Sequence, residues 1–189
     1  MNIIIVPGYG DRFDYIETAT KNWQKKYANI ARVAVFGWNG TGDSYAGKWE
    51  QFAEILQGTG KTAIIGISAG ASVALRALHE HPDIVSKVVT ICGPANPAFM
   101  DMQYLQRNYP VLVPSLESIR DVEQPGGKIM TLRPFHDGTI HLDAMRIPGA
   151  TDKRIPMVGH TPSIVTAIFT SGGTINRFIN EDNEATLLS

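Results

Sequence analysis

The sequence contains a serine in a turn of the kind that exposes a nucleophile. Ser68 is the central residue of a Gly-x-Ser-x-Gly pattern whose glycines are Gly66 and Gly70. An apolar run at residues 62–67 precedes the serine, and an alanine-rich run follows at residues 69–79. A serine at a sharp strand-to-helix turn projects its hydroxyl above the sheet, and glycines avoid a clash there because they lack a Cβ atom. The pattern therefore predicts Ser68 as a nucleophile.

A serine hydroxyl becomes a strong nucleophile only when a nearby base takes its proton. All five histidines follow Ser68 along the chain, but His79 and His81 belong to the end of the helix predicted after the serine, which leaves His136, His141 and His160 as candidates. The predicted strand at residues 154–158 is followed by a glycine and then by His160. A predicted helix begins two residues later. An imidazole at such a junction reaches over the end of a sheet, so the sequence predicts His160 as the base and His136 as a neighbour in the wall of the site.

The base in turn needs a carboxylate that orients its ring. Asp137 follows the apolar run at residues 128–132, so it lies just past a predicted strand end, where ligands gather in open α/β sheets. Asp137 also precedes Gly138, and an Asp-Gly pair commonly forms a turn with no chemical role. The sequence favours Asp137 as the orienting acid and leaves Asp143 and Asp152 as alternatives.

Backbone N–H groups must stabilise the oxyanion that forms when a serine attacks a carbonyl carbon. The N–H of Ala69 is one predicted donor, because it follows the nucleophile at the start of a helix. The second donor is expected in the loop after the first strand, which reads Pro-Gly-Tyr-Gly at residues 7–10. We assign this role to the N–H of Tyr9, since its flanking glycines let the backbone approach a substrate closely.

Short apolar runs alternate with longer amphipathic segments along the chain. This alternation predicts a parallel sheet with helices on both faces. Most apolar runs are continuous, as is typical of strands that are buried on both sides. The predicted strands are residues 2–6, 30–36, 62–67, 87–92, 128–132 and 154–158, and the predicted helices are residues 14–27, 46–56, 69–79 and 162–169.

The segment at residues 94–126 is the least regular part of the chain, because five prolines interrupt it. It is predicted to form a crossover connection or a small cover over the site. Its apolar residues follow the fourth predicted strand on the sheet edge that carries Ser68, so we predict that they wall a substrate groove; the alternative is that they fill the core. The predicted wall consists of Phe99, Met100, Met102, Tyr104 and Leu105 from this segment and of Trp38 from outside it.

Length, charge and composition narrow the possible functions. A chain of 189 residues fits a single domain, with a polar tail at residues 180–189 that is expected to fray. A formal net charge of -1 argues against nucleic acid or an anionic membrane as the main partner. No apolar stretch approaches the roughly 18 residues of a membrane span. The single cysteine, Cys92, excludes an intramolecular disulfide, and the first residues show no signal segment, so we expect a cytoplasmic protein.

Together these motifs resemble the α/β-hydrolase superfamily, and in particular its small lidless bacterial lipases. The resemblance covers the oxyanion loop at residues 6–10, the Trp- and Gly-Thr-Gly-containing loop at residues 35–42, the nucleophile turn at residues 67–71, the strand and loop at residues 88–96, and the acid and base segments. It implies a minimal three-layer α/β-hydrolase fold with about six mainly parallel strands. Pro7 and Ile67 stand where these lipases usually carry histidine, and the missing signal segment departs from the secreted members.

The predicted reaction is acyl transfer through Ser68 on a small-molecule ester, and it requires no metal or organic cofactor. A thioesterase, an amidase or a peptidase-like hydrolase would use the same residues, so only rates on matched substrates separate these enzymes from a carboxylester hydrolase. A non-enzymatic binding module on the same fold is a third hypothesis, and the complete set of Ser68, Asp137 and His160 argues against it.

Overall fold

The computed structural model describes residues 2–11, 14–27, 30–38 and 44–187. Within these ranges strands and helices alternate, as the apolar pattern predicts. The strands are β1 (Asn2–Val6), β2 (Ile30–Val33), β3 (Thr62–Ile67), β4 (Val85–Ile91), β5 (Ile129–His136) and β6 (Thr151–Val158). The helices are α1 (Asp14–Tyr27), α2 (Tyr45–Gln57), α3 (Gly70–Glu80), α4 (Met102–Asn108), α5 (Leu112–Glu117), α6 (His160–Thr170) and α7 (Gly172–Leu187).

The six strands form one open sheet in the order β2-β1-β3-β4-β5-β6, and every neighbouring pair is parallel. The predicted sheet of about six parallel strands is therefore confirmed. The chain moves outward from β1 to β2 and then returns to place β3 on the other side of β1. The crevice of an open α/β sheet lies at such a reversal of strand order, just beyond the carboxyl ends of the strands.

Helices cover both faces of the sheet, and each face has its own apolar core. On one face, side chains of α1, α6 and α7 pack against alternate strand residues such as Ile3 and Ile65. On the other face, α2 and α3 pack against Ile4 and Ile64, which point in the opposite direction. The layers explain why the central strands are apolar at consecutive positions: both of their faces are buried.

Two strands have boundaries that differ from those of the apolar runs that predicted them. β2 ends at Val33 instead of residue 36, because the chain then leaves the ladder and directs Phe36 into the core beside α2. β6 begins at Thr151 instead of residue 154, since Thr131 and Arg133 of β5 bind the side chain of Asp152 across the ladder. Such polar pairing between strands leaves no apolar signal.

Helix α7 is an element that the sequence analysis missed. It spans Gly172–Leu187 and so includes most of the polar tail at residues 180–189, whose fraying stays a prediction. Ile175, Phe178 and Ile179 are buried at helical spacing in the core shared with α1 and α6. In the part of the chain that the structure describes, no helix is long and apolar enough to cross a membrane.

The irregular segment between β4 and β5 contains two short helices, α4 and α5. Leu105, Val113 and Leu116 form a small apolar cluster of their own there, separate from the two main cores. A hydrogen bond of 2.6 Å between the hydroxyls of Ser115 and Ser72 joins α5 to α3. We call residues 99–117, which include α4 and α5, the cover.

Candidate active site

Ser68 occupies a strained turn between β3 and α3. Its φ angle is 50°, in the left-handed region that non-glycine residues rarely adopt. The backbone on both sides holds it there: its N–H donates to the carbonyl of Ile91 at 2.9 Å, and its own carbonyl accepts from the N–H of Ala71 at 3.0 Å. The turn therefore exposes the Ser68 hydroxyl at the carboxyl end of a central strand.

The turn requires glycine at two positions because backbone segments approach closely. A Cβ atom on Gly66 would lie 2.5 Å from the carbonyl oxygen of Gly70, inside the contact distance of any atom pair. A Cβ atom on Gly8, in the loop after β1, would lie 2.7 Å from the Cβ of Ser68. The loop after β1 therefore packs directly against the serine, which is the arrangement predicted for an oxyanion loop.

His160 and Asp137 form a continuous hydrogen-bonded chain with Ser68. The Ser68 hydroxyl lies 2.8 Å from Nε2 of His160, and Nδ1 of His160 lies 2.7 Å from Oδ2 of Asp137. An Nδ1–H group that donates to the carboxylate leaves Nε2 free to accept the serine proton. The three side chains follow β3, β5 and β6, whose carboxyl ends meet at the same edge of the sheet.

The loop that carries Asp137 supports its charge. The side chain is fully buried, and its Oδ1 accepts hydrogen bonds from the N–H groups of Thr139 (2.8 Å) and Ile140 (3.0 Å). Burial on its own raises the pKa of this carboxyl, but the hydrogen bonds from His160 and from these two N–H groups outweigh it and lower the pKa below its ordinary value. Asp137 is therefore ionised at neutral pH, as an orienting carboxylate must be.

The other candidate acids have different partners. The carboxylate of Asp152 accepts from Arg133 Nε at 2.7 Å and from the Thr131 hydroxyl at 3.1 Å. Asp143 lies near the side chains of His141 and Arg146, each at 3.6 Å. Neither aspartate is hydrogen bonded to His160, so the geometry favours Asp137.

The two backbone N–H groups proposed as oxyanion donors have no protein partner. Among the described residues, neither the N–H of Tyr9 nor the N–H of Ala69 donates a hydrogen bond to another group. Ala69 is 5% exposed, and a buried N–H group is normally paired, so its unpaired N–H is available to a ligand oxygen; Tyr9 is 42% exposed, so water can satisfy its N–H when no ligand is bound. Ala69 directly precedes helix α3, whose N-terminus adds a favourable field for negative charge.

A cavity of about 660 Å³, here called the serine cavity, opens beside the nucleophile. Ser68 and His160 line it on one side, and side chains of the cover line it on another. Of the six residues predicted to wall a substrate groove, Phe99, Met100, Tyr104 and Leu105 line this cavity, whereas Trp38 and Met102 do not. The cover side consists of Phe99, Met100, Tyr104, Leu105, Tyr109, Leu112 and Leu116.

Trp38, which the sequence also placed in the predicted wall, lies elsewhere. It is 1% exposed, it does not line the serine cavity, and its ring packs against Phe36 with centroids 4.6 Å apart. Its Nε1–H donates to the carbonyl of Pro7 at 3.2 Å. The prediction misplaced Trp38 because β2 ends early and the chain turns into the core, so Trp38 supports the oxyanion loop from beneath instead of facing a substrate.

Residues to which sequence reasoning gave no place in the site also line the serine cavity. Tyr109, Leu112 and Leu116 come from the cover, and Ile140 and His141 come from the loop after Asp137. Leu112 and Leu116 are one helical turn apart, and this spacing is the only signal that could have indicated their common face.

A second cavity of about 420 Å³ lies on the far side of Phe99 and is here called the arginine cavity. Six of its nine lining residues have polar side chains, among them two arginines and two aspartates, although most of the surface that the lining exposes is apolar. Its polar side chains are Asn96, Thr131, Arg133, Asp143, Arg146 and Asp152.

Comparisons with known proteins add information at the level of the fold. No family model matches the chain, and no curated protein matches it by sequence. Solved structures match over nearly the whole chain. A mouse protein named α/β-hydrolase domain-containing protein 10 is 14% identical, with a TM-score of 0.70 over 95% of this chain and 90% of that chain.

Two further solved structures are similar to the same extent. The pyrethroid hydrolase PytH is 15% identical, with a TM-score of 0.68 over 94% of this chain and 97% of that chain. An esterase domain of a Rhodothermus marinus protein is 14% identical, with a TM-score of 0.64 over 95% of this chain and 86% of that chain. At this level of identity the likeness shows architecture alone: the chain has the α/β-hydrolase fold.

Proposed function

We propose that this protein is a serine hydrolase that cleaves carboxylic esters. The observation that carries the proposal is the unbroken hydrogen-bonded chain from Ser68 through His160 to the buried carboxylate of Asp137. A serine, an imidazole and a carboxylate in this order activate the hydroxyl for attack on an acyl carbon. The cavity that opens on the serine offers room for a substrate of moderate size.

The first half of the reaction forms an acyl-enzyme. The Ser68 oxygen attacks the ester carbonyl carbon while Nε2 of His160 takes the hydroxyl proton. The carboxylate of Asp137 keeps the imidazole in the required tautomer and stabilises its charged form. The bond from the carbonyl carbon to the alcohol oxygen then breaks, and the imidazolium returns its proton to the departing alcohol.

The second half releases the acid. A water molecule gives a proton to His160 and attacks the acyl-enzyme, and the carboxylic acid leaves as Ser68 regains its proton. In both halves the carbonyl oxygen carries negative charge in the tetrahedral intermediate, and we assign the N–H groups of Tyr9 and Ala69 as the donors that stabilise it. The loss of one such donor costs about 3 kcal/mol of transition-state stabilisation in other hydrolases.

The nature of the cavity wall supports an ester with an apolar portion. Phe99, Met100, Tyr104 and Leu105 present aromatic and aliphatic surface beside the nucleophile, and no Lys or Arg is among the described residues that line the serine cavity. The similar solved structures include an esterase domain and a pyrethroid hydrolase, which agrees with this class of reaction.

The test of the proposal is a comparison of matched substrates. We expect kcat/KM to be highest for an oxygen ester such as phenyl butyrate, compared with the thioester and the anilide of the same acid. Ser68→Ala should lower kcat on the order of 10⁶-fold and abolish labelling by a fluorophosphonate probe. Faster hydrolysis of the thioester or the anilide would overturn the assignment to esters, and labelling that persists in Ser68→Ala would overturn the nucleophile.

A matched control is available at the opposite end of α6 from His160. Ser171 follows the last residue of α6, whereas His160 begins that helix, so some 16 Å of helix separate the two positions. Ser171→Ala should keep both the labelling and the turnover.

A further inference from the structure

One aromatic ring forms part of the wall of both cavities. Phe99 lines the serine cavity and the arginine cavity, and the residue is 51% exposed. Its ring stacks on the imidazole of His141, with centroids 6.4 Å apart and 13° between the ring planes. Because His141 also lines the serine cavity, the stacked pair forms a partition at one end of that cavity.

Backbone hydrogen bonds support this partition on both sides. Phe99 ends a 3₁₀ turn, Pro97–Phe99, which begins with a hydrogen bond from the N–H of Ala98 to Oδ1 of Asn96 at 3.1 Å. The N–H groups of Ala95 and Asn96 both donate to the carbonyl of Ala144, at 2.7 and 2.8 Å. The segment that carries Phe99 is therefore bound to the segment that follows His141, which fixes the backbone from which the ring projects.

The two cavities on either side of Phe99 differ in the charged side chains that line them. The cover gives the serine cavity an apolar wall. The arginine cavity contains the buried Arg133, which is paired with Asp152, and Arg146, which lies 3.6 Å from Asp143. An alkyl chain placed there would remove water from charged groups without replacing their hydrogen bonds, whereas ether or hydroxyl oxygens would accept from arginine.

We propose that Phe99 is a specificity-determining residue that confines the substrate to the serine cavity and separates it from the arginine cavity. This inference rests on the proposed ester hydrolysis and deepens it, because it names the substrates that are accepted and rejected. The natural protein accepts compact esters with an apolar portion. Without the ring, the arginine cavity becomes accessible to a substrate that carries a long, uncharged polar tail.

The experiment measures kcat/KM for wild type, Phe99→Leu and Phe99→Ala. The substrates are an acetate ester, an ester with an oligo-ether tail and an ester with an alkyl tail of the same chain length. The tail is placed on the acid in one series and on the alcohol in another, so that either direction of entry is covered. The matched control is Phe135→Ala, because Phe135 is 60% exposed and lines neither cavity.

We expect the kcat/KM ratio of the ether-tailed ester to the acetate ester to rise about tenfold or more in Phe99→Ala in at least one series. Phe99→Leu should show a smaller rise, and Phe135→Ala none. An unchanged ratio in both series, with acetate still hydrolysed, would overturn the role of Phe99 alone. An equal gain for the alkyl tail would overturn the arginine cavity as the space that opens. Absence of ester hydrolysis in wild type would instead overturn the proposed function itself.

Discussion

The carboxylate of Asp137 uses its two oxygens for different partners. Oδ1 accepts from two N–H groups of its own loop, and Oδ2 accepts from His160. The sequence supports two interpretations of Asp137, as a turn-forming residue and as an orienting acid. These contacts are compatible with both roles at once. The turn places the carboxylate and satisfies one of its oxygens, so the other is free to hold the imidazole.

An amide at position 137 should disturb the imidazole more than it disturbs the fold. Asp137→Asn keeps an oxygen for the loop but turns an –NH₂ group toward His160 or selects the wrong tautomer of its ring, so kcat should fall about 10⁴-fold. The measurement is steady-state hydrolysis of p-nitrophenyl butyrate. The control is Asp143→Asn, for which we expect less than a tenfold change, and a larger loss there than at Asp137 would transfer the role.

The ion pair between Asp152 and Arg133 should make the free energy of unfolding depend on pH. Hydrogen bonds from Arg133 lower the pKa of Asp152, although burial partly opposes them. A carboxyl whose pKa is lower in the folded protein stabilises the fold fully above its unfolded pKa of about 3.9 and loses this contribution as pH falls through the folded pKa.

Asp152→Asn should therefore lower the free energy of unfolding at pH 7, because the buried Arg133 guanidinium loses its anionic partner. The difference from wild type should shrink as the pH falls below about 4. Urea unfolding across this pH range measures it. A difference that is constant with pH would show that the charge of Asp152 is not its cause.

At the scale of the element, the junction between β3 and α3 depends on the absence of a side chain at Gly66. Gly66→Ala would push a Cβ atom against the backbone of α3 and force the strand and the helix apart. We expect destabilisation of about 1–3 kcal/mol or more, together with a loss of turnover as Ser68 moves. Gly127→Ala is the matched control, because a Cβ atom there meets nothing within 4 Å. Equal stability of the two variants would refute the close approach.

Helix α7 contributes to stability through one buried aromatic side chain. Phe178 is 2% exposed and packs in the core shared with α1 and α6. Phe178→Ala should lower the free energy of unfolding by about 3–5 kcal/mol, because it leaves a cavity in a close-packed core. Chemical denaturation provides the measurement. Phe169→Ala, at a residue that is 48% exposed, should cost far less, and similar losses would mean that α7 does not pack as described.

At the scale of the whole molecule, the topology brings three distant loops to one edge of the sheet. The strand order reverses between β1 and β3, so the oxyanion loop and the serine turn are neighbours. β5 and β6 then deliver Asp137 and His160 to the same edge. The cover completes the serine cavity, and the hydrogen bond between Ser72 and Ser115 anchors it to α3.

An anchored cover predicts hydrolysis without interfacial activation. The serine cavity is already formed, and Tyr9 and Tyr104 on its wall are exposed, so a dissolved substrate can enter without a large opening motion. The rate on a short-chain ester should rise hyperbolically with concentration and show no jump at the solubility limit. A sharp increase at the emulsion boundary would indicate that the cover moves as a lid.

Local sterics and chain order allowed much of this arrangement to be predicted from the sequence by itself. The Gly-x-Ser-x-Gly turn depends on contiguous residues, so its meaning is readable wherever an apolar strand precedes it and a helix follows. The apolar runs predicted the six parallel strands, since burial on both faces leaves a continuous signal. Because parallel strands end at one edge, the residues that follow β3, β5 and β6 were expected to meet, and Ser68, Asp137 and His160 lie within hydrogen-bonding distance.

Only the tertiary structure decided the features that depend on distances between remote segments. It distinguished Asp137 from Asp152 as the candidate acid, because the partner of Asp152 is an arginine on the neighbouring strand. It moved Trp38 from the predicted substrate wall to the core beneath the oxyanion loop. It placed Phe99 between two cavities that differ in the charged side chains that line them. The direction in which a side chain points after a strand ends is set by packing against elements far along the chain, and local pattern does not encode that packing.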